Sequence, residues 1–316
     1  MSDPGMPASA QPDEQWPEVL VIGSINLDLS LTVDRFPDPG ETVIGTDLLR
    51  GGGGKGANQA VAAARLGRRV AMVGAIGNDD SGALLLRQLR SEGIDIDRID
   101  IIEGSPTGLA VIEVDAAGEN RIVVISGANG AIEVSHVERL AEVIANSSVV
   151  LTQLEIPAPV VEALALVPRS GRLILNPAPA QPHLQLAGVD ILVPNRGELG
   201  LLAGAELAPT TDGLVDQARS IDTGLEAVVV TLGGDGALVI DGLRSGEVTV
   251  QTIEPVPVEA VDTTAAGDAF CGGLADALCL GADIAEAAKW ASRVAAAAVT
   301  RRGAQSSLPY RSDVLV

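Results

Sequence analysis

Short apolar runs recur along the chain with helical sequence between them: Val149 to Leu154, Leu173 to Leu175, Ile191 to Val193 and Ala227 to Thr231. An unbroken apolar run of this length suits a strand buried on both faces, and strands joined through helices pair in parallel. Glu18 to Gly23 and Arg69 to Ala75 extend the pattern toward the N-terminus. The spacing therefore predicts an α/β fold, a mostly parallel central sheet between helices. The helices are expected at Ala57 to Leu66, Ser81 to Ser91, Ser135 to Ala145 with Ser135 as N-cap, Gly267 to Leu280 and Ile284 to Thr300. Hydrophobic residues make up 47% of the chain and aromatics only 2%, so the core must be built from Ala, Val, Leu and Ile. No internal repeat or composition shift marks a second independent domain.

Two stretches break the pattern. Ser24 to Val33 alternates polar and apolar residues, as a strand with one open face does. Glu41 to Leu48 can return beside it, and Thr107 to Val114 with Asn120 to Ser126 read as a hairpin over Asp115 to Gly118. Residues 25–48 and 107–126 are expected to pair as a small sheet standing off the main body, a candidate lid. Residues 1–17 read as a disordered polar tail and 18–316 as one domain. No apolar run approaches the roughly 18 residues of a membrane span, and the N-terminus lacks a signal-peptide pattern, so a cytoplasmic location is expected. Cys271 and Cys279, on one predicted helix, read as core fillers. The formal net charge is -21, which argues against nucleic acid or an anionic membrane as partner. An anionic substrate would need a local positive site. Only two of the 21 basic residues are lysines, Lys55 and Lys289.

Five segments carry candidate chemistry. In Val261 to Asp268, small residues precede an apolar helix, so successive backbone N–H groups can form an anion-binding nest at its N-terminus. Asp268 there reads either as a helix cap or as a general base on an attacking hydroxyl. Gly51 to Gly56, with Lys55, reads as a flexible loop whose bare backbone approaches a polyol; it is neither a dinucleotide fingerprint nor a Walker A loop. Lys55 and Asn58 would donate to hydroxyls. Asn26 and Asp28 share one strand face and can grip a vicinal diol, or serve an edge strand. Asn195 and Glu198 begin a helix after the strand Ile191 to Val193. They suit a hydrated Mg²⁺ and also form a capping box. Thr231 to Gly236 is a glycine turn that can wrap a nucleotide or lead a hairpin into Ala237 to Ile240.

Order and spacing together resemble the ribokinase-like (PfkB) carbohydrate kinases over about residues 18–310. The supporting strings are Gly23 to Asp28, Pro39 to Thr42, Gly53 to Gln59, Asn176 to Pro179, Val261 to Asp268 and Val299 to Gln305. The resemblance implies a three-layer fold with a β-sheet lid, and ATP-dependent phosphorylation of the primary hydroxyl of D-ribose. Deoxyribose, fructose, another furanose or a nucleoside are the alternatives. It implies sugar contacts from Asn26, Asp28, Gly54, Lys55, Asn58 and Glu155, Asp268 as base, and the backbone of Ala265, Ala266 and Gly267 as anion hole. Asn195, Thr231, Gly233, Gly236, Gly267 and Ser292 would line the nucleotide site, with Glu198 near Mg²⁺ through water. Asp262, Thr264, Ala298, Arg301, Gly303 and Ser307 would hold K⁺, and two copies would pair through their lids. Ser292 stands where some relatives flank adenine with a larger side chain. A catalytically silent sugar-binding protein is a rival of another class, but the base, the lysine and the nest are all present. A NAD-dependent dehydrogenase fails for want of a strand–G-x-G-x-x-G–helix unit.

Overall fold

The computed structural model describes residues 16–221 and 224–314. Residues 1–15 of the expected tail lie outside the described residues, while Trp16 packs against the core. Among the described residues, thirteen strands and ten α-helices follow in chain order. The strands are β1 (Val19–Ile22), β2 (Asn26–Thr32), β3 (Asp47–Gly53), β4 (Val70–Gly77), β5 (Asp95–Ile102), β6 (Gly108–Val114), β7 (Asn120–Ile125), β8 (Val149–Gln153), β9 (Arg172–Asn176), β10 (Ile191–Leu192), β11 (Ala227–Thr231), β12 (Ala237–Asp241) and β13 (Thr249–Ile253). The helices are α1 (Lys55–Arg65), α2 (Asp80–Ser91), α3 (Val134–Arg139), α4 (Ala141–Asn146), α5 (Ala158–Ala165), α6 (Arg196–Leu202), α7 (Thr211–Ser220), α8 (Ala266–Cys279), α9 (Ile284–Val299) and α10 (Arg311–Val314).

Nine strands form the central sheet in the order β13-β12-β11-β10-β9-β8-β1-β4-β5. Pairing is parallel from β11 to β5, and β12 and β13 are antiparallel additions. The apolar runs face both ways. Val19 and Val21 of β1 join a core with α1, α2, α8 and α9, whereas Leu20 and Ile22 join a second core with α3 to α7. This is the expected three-layer α/β architecture. The carboxyl ends of β1, β8, β9, β10 and β11 open on one edge, where ligand crevices of such sheets lie.

Packing of α1 on α8 fixes the geometry at that edge. A Cβ at Gly272 would lie 2.5 Å from the Cβ of Ala62, so glycine sets how near the two helices come. Cys271 is buried and Cys279 partly so, both as free thiols, as core fillers should be.

The small sheet has the order β3-β2-β6-β7; β2, β6 and β7 fall in the expected stretches, whereas β3 lies mostly beyond residue 48 and residues 41–46 form no strand. Its glycine-rich strand differs from the sequence reading, which ended a strand at Leu48 and left Gly51 to Gly56 as a loop. β3 instead runs through the glycines, pairing Gly51 with Asp28, Gly52 with Leu27 and Gly53 with Asn26, and α1 starts at Lys55. The glycines serve close passage more than flexibility: a Cβ on Gly53 would sit 2.1 Å from the Asp28 carboxyl group.

Two further differences have local causes. Ser135 is not an N-cap, because Glu133 takes that position and its N–H donates to His136 Nδ1 at 3.0 Å. The expected single helix breaks at Leu140 into α3 and α4. Strands β5 and β13 were not anticipated. Both are edges of the central sheet, and their mixed polar and apolar sequences lack the unbroken apolar run of a central strand.

Candidate active site

The loop before α8 ends in Ala265, held in the left-handed region at φ 59, and no side chain caps the helix. The first amides of a helix lack intrahelical partners. Here the Ala266 N–H turns back to the Thr263 carbonyl at 3.2 Å, so one of the expected nest donors is engaged within the turn. Around Gly267 the space is open, with no atom within 4 Å of where a Cβ would point.

Asp268 is the third residue of α8 and only 6% exposed. It caps nothing. Its Oδ2 accepts from Asn58 Nδ2 at 2.9 Å and its Oδ1 from Gln59 Nε2 at 3.1 Å, both from α1. Burial pushes its pKa up to about 6, against the pull of Lys55 and of the Asn58 and Gln59 amides. Of the two readings of this residue, the cap is therefore excluded.

The expected sugar residues gather around it. Lys55 opens α1, and its backbone N–H donates to Glu155 Oε2 at 3.0 Å; the Ser24 hydroxyl donates to the same oxygen at 2.6 Å. Glu155, just beyond β8, thus caps α1 from outside the helix, where the dipole favours a carboxylate. The Lys55 ammonium is buried, which disfavours its charge, but Asp268, Glu155 and Glu198 hold its pKa above the ordinary value. Asp28 rises to about 7 through burial and the neighbouring Glu155 and Asp268 carboxylates, with Lys55 opposing. Asn26 is 2% exposed, and its Oδ1 accepts from Asn129 Nδ2 at 2.7 Å. The buried Asn58 Oδ1 has no partner among the described residues. Gly54, at φ 84, lies within 3 Å of the Ser24 carbonyl and the Asn26 amide by its would-be Cβ, so only glycine fits there.

Beside this cluster, Asn195 and Glu198 form a reciprocal capping box on α6, Asn195 N–H to Glu198 Oε2 and Glu198 N–H to Asn195 Oδ1, both 2.8 Å. Thr231 lies next to Asn195 through an isolated parallel bridge. Gly233 and Gly236 turn the chain with positive φ into β12, so the glycine segment does join a hairpin. Ser292 bonds back to the Ala288 carbonyl at 3.0 Å within α9. Asp262 has two backbone partners: Thr264 N–H at 2.9 Å and Gly303 N–H at 2.8 Å. Burial would raise its pKa, but these amides, with Arg302 nearby, hold it below the usual range. The carboxylate so ties the 262–264 loop to the turn after α9. Near it, Ala298 accepts from Arg301 N–H at 3.1 Å, the Arg301 guanidinium is turned to Asp313 at 3.0 Å, and the Ser307 hydroxyl donates to the Ala304 carbonyl at 2.8 Å.

Known proteins resemble this chain along nearly its whole length. The pfkB family carbohydrate kinase pattern matches residues 17–311. The chain belongs to that family. It is 40% identical over 299 residues to a ribokinase of Haemophilus influenzae, covering 93% of this chain and 96% of the relative. It is 37% identical over 298 residues to a deoxyribokinase of Salmonella typhi, with 92% and 95% covered. In fold it is similar to the Arabidopsis thaliana ribokinase solved with ribose and ATP, with TM-score 0.85, 31% identity, and 95% and 98% of the two chains covered.

As a carbohydrate kinase, the chain brings together on one edge Asn26, Asp28, Lys55, Asn58, Glu155 and Asp268. Sequence reasoning passed over several residues that hold them: Ser24, Gln59, Asn129, Gln153 and Asn176. All five are buried polar residues. That class is rarely left unpaired in a core, so a Gln or Asn inside an apolar strand or helix was the signal available.

Proposed function

We propose that the chain transfers the γ-phosphoryl group of ATP to the primary hydroxyl of D-ribose, giving D-ribose 5-phosphate and ADP. The observation that supports this best is the buried Asp268 carboxylate, held by Asn58 and Gln59 beside Lys55 at the uncapped start of α8. Asp268 takes the hydroxyl proton as the oxygen attacks in line, and the free amides around Gly267 meet the negative charge of the transferring group. Asn26, Asp28, Gly54, Lys55, Asn58 and Glu155 hold the other hydroxyls. Sugar hydroxyls donate to the carboxylates, and Asn58 Oδ1 supplies an acceptor that is otherwise unpartnered. Asn195, Thr231, Gly233, Gly236, Gly267 and Ser292 line the nucleotide site. Glu198 would hold Mg²⁺ through water, and that ion supplies charge neutralisation on the phosphates. Residues 18–316 act as one kinase unit with β2, β3, β6 and β7 as its lid. The exposed Ile122, Val123 and Val124 of β7 suit pairing of two copies through that lid, which sedimentation equilibrium would test. Among the described residues no helix is long and apolar enough to cross a membrane, in keeping with a cytoplasmic enzyme.

Ribose is preferred to deoxyribose because its 2-hydroxyl gives the carboxylates one more donor, and a site built for a hydroxyl penalises its loss. Coupled assays of ADP release across D-ribose, 2-deoxy-D-ribose, D-fructose and adenosine should give the highest kcat/KM for D-ribose. A higher value for any competitor would overturn the substrate and leave the kinase standing.

K⁺ is expected to activate, with Na⁺ much weaker. Asp262, Thr264, Ala298, Arg301, Gly303 and Ser307 would hold the ion, mostly through backbone oxygens. The ionised Asp262 already joins the two loops that carry those oxygens. A KCl titration at constant ionic strength, balanced with choline chloride, should raise turnover in the native chain and not in Asp262→Ala. A flat titration of the native chain would rule the site out.

A further inference from the structure

We propose that Gln59 is a positioning residue for Asp268, oriented in turn by Gln153 of β8 and Asn176 of β9. The proposal rests on the reading of Asp268 as base. Gln59 lies in α1 with no exposed surface. Every polar atom of its side chain is engaged. Its Nε2 donates to Asp268 Oδ1 at 3.1 Å and to Asn176 Oδ1 at 3.3 Å, and its Oε1 accepts from Gln153 Nε2 at 2.7 Å. Asn176 cannot turn over freely either, because its Nδ2 donates to the Val193 carbonyl at 2.9 Å.

The direction of these bonds follows from chemistry. An ionised carboxylate only accepts, so the amide end that faces Asp268 must be nitrogen. Were the Gln59 amide reversed, its oxygen would face the Asp268 and Asn176 oxygens, and its nitrogen would face the Gln153 nitrogen. The contacts to Asp268 and Asn176 would be lost at once in a buried site, where unpaired polar groups are costly, and the one to Gln153 would survive only if that amide turned as well. Asn176, itself held by Val193, therefore helps determine which end of Gln59 meets the base, and Gln153 Nε2 supports it by donating to the Gln59 oxygen. Gln59 in turn holds Oδ1, which keeps the carboxyl plane fixed while Oδ2, shared with Asn58, faces the hydroxyl. Donation to the ionised form also opposes the effect of burial on this group. The other titratable groups that face Asp268 are Lys55 of α1, Glu155 beyond β8, Asp28 of β2 and Cys271 of α8. None of them is altered by changes at Gln59 or Gln153.

Gln59→Met keeps the volume and removes the donors. It should lower single-turnover phosphoryl transfer about tenfold at neutral pH and leave KM for D-ribose within about threefold. The acidic limb of the transfer rate should move up by about one pH unit, because losing a donor raises the pKa of the base. Gln153→Met should move the limb the same way by less, and add nothing in the Gln59→Met background, since it acts through Gln59. A residue that only fills space would leave the limb where it is. An unmoved limb in folded Gln59→Met, or an equal shift from Gln153→Met with and without Gln59, would overturn the proposal. If Gln59→Met does not fold, Gln153→Met alone decides: a limb that moves up supports the proposal and one that stays sinks it. Asp268→Asn run alongside separates the two readings. If it retains turnover, the base assignment itself falls; if it is inactive while the limb stays unmoved in Gln59→Met, only the role of Gln59 falls.

Discussion

Asp268→Asn is expected to lower kcat by at least ~10² while KM for D-ribose changes by no more than about threefold. The substitution keeps the shape of a side chain that is 6% exposed, so the helix N-terminus and the sugar contacts around it should stand. It removes the capacity to take a proton from the attacking hydroxyl. An asparagine must also place one of its two ends against a donor nitrogen, either Asn58 Nδ2 or Gln59 Nε2, because both now point at the group. One hydrogen bond is lost, but so is the penalty of burying a charge, and Tm should not fall. The base titrates near 6, so the native enzyme should lose turnover as pH drops through that value, and the residual activity of the variant should lack this limb. Initial rates at saturating ATP, from pH 5 to 8, measure both. Turnover near the native level would show that the proton goes elsewhere.

Much of this was legible in the chain, and the reasons differ from element to element. The central strands announced themselves because a strand covered on both faces must be apolar throughout, as Val19 to Ile22 is. The edge strands β5 and β13 did not, since few residues of either are buried and their sequences mix polar with apolar residues. The tight turn and helix start before α8 could be read from the small residues there. What the sequence left open was whether Asp268 capped that helix or faced a substrate. The answer depends on Asn58 and Gln59, more than two hundred residues away, and on how closely α1 approaches α8 over Gly272. Asp262 shows a different limit. Its partners are backbone amides, one of them forty-one residues on at Gly303, and amides carry no letter in a sequence. The polar residues behind the site, Gln59, Gln153 and Asn176, were hidden for a related reason. Their partners are mainly one another, brought together from a helix and two strands.

The glycine run gives the second large effect, and it makes position the test. Gly53→Ala is expected to raise KM for D-ribose by about 10² and change kcat far less, whereas Gly51→Ala should leave both within about twofold. All three glycines of β3 pair regularly with β2, and none needs a left-handed backbone, so alanine costs little as a strand residue at any of them. They differ in what stands over them. Nothing lies within 4 Å of a Cβ on Gly51. On Gly52 the nearest atom is Gln305 Oε1 at 2.4 Å, the far end of a flexible side chain that can swing away. On Gly53 all three atoms of the Asp28 carboxyl group lie at 2.1 Å, and the added methyl must push them out of place. Asp28 sits between Lys55, Glu155 and Asp268, already raised to about 7 by burial and those carboxylates, so it has little room to move without meeting another charge. A carboxylate that grips two hydroxyls contributes on the order of 3 kcal/mol, which is the hundredfold in KM. Steady-state kinetics on the three alanine variants read the pattern directly. Equal effects at Gly51 and Gly53 would mean that the run serves flexibility, and that the close passage of β3 beneath Asp28 has no part in holding the sugar.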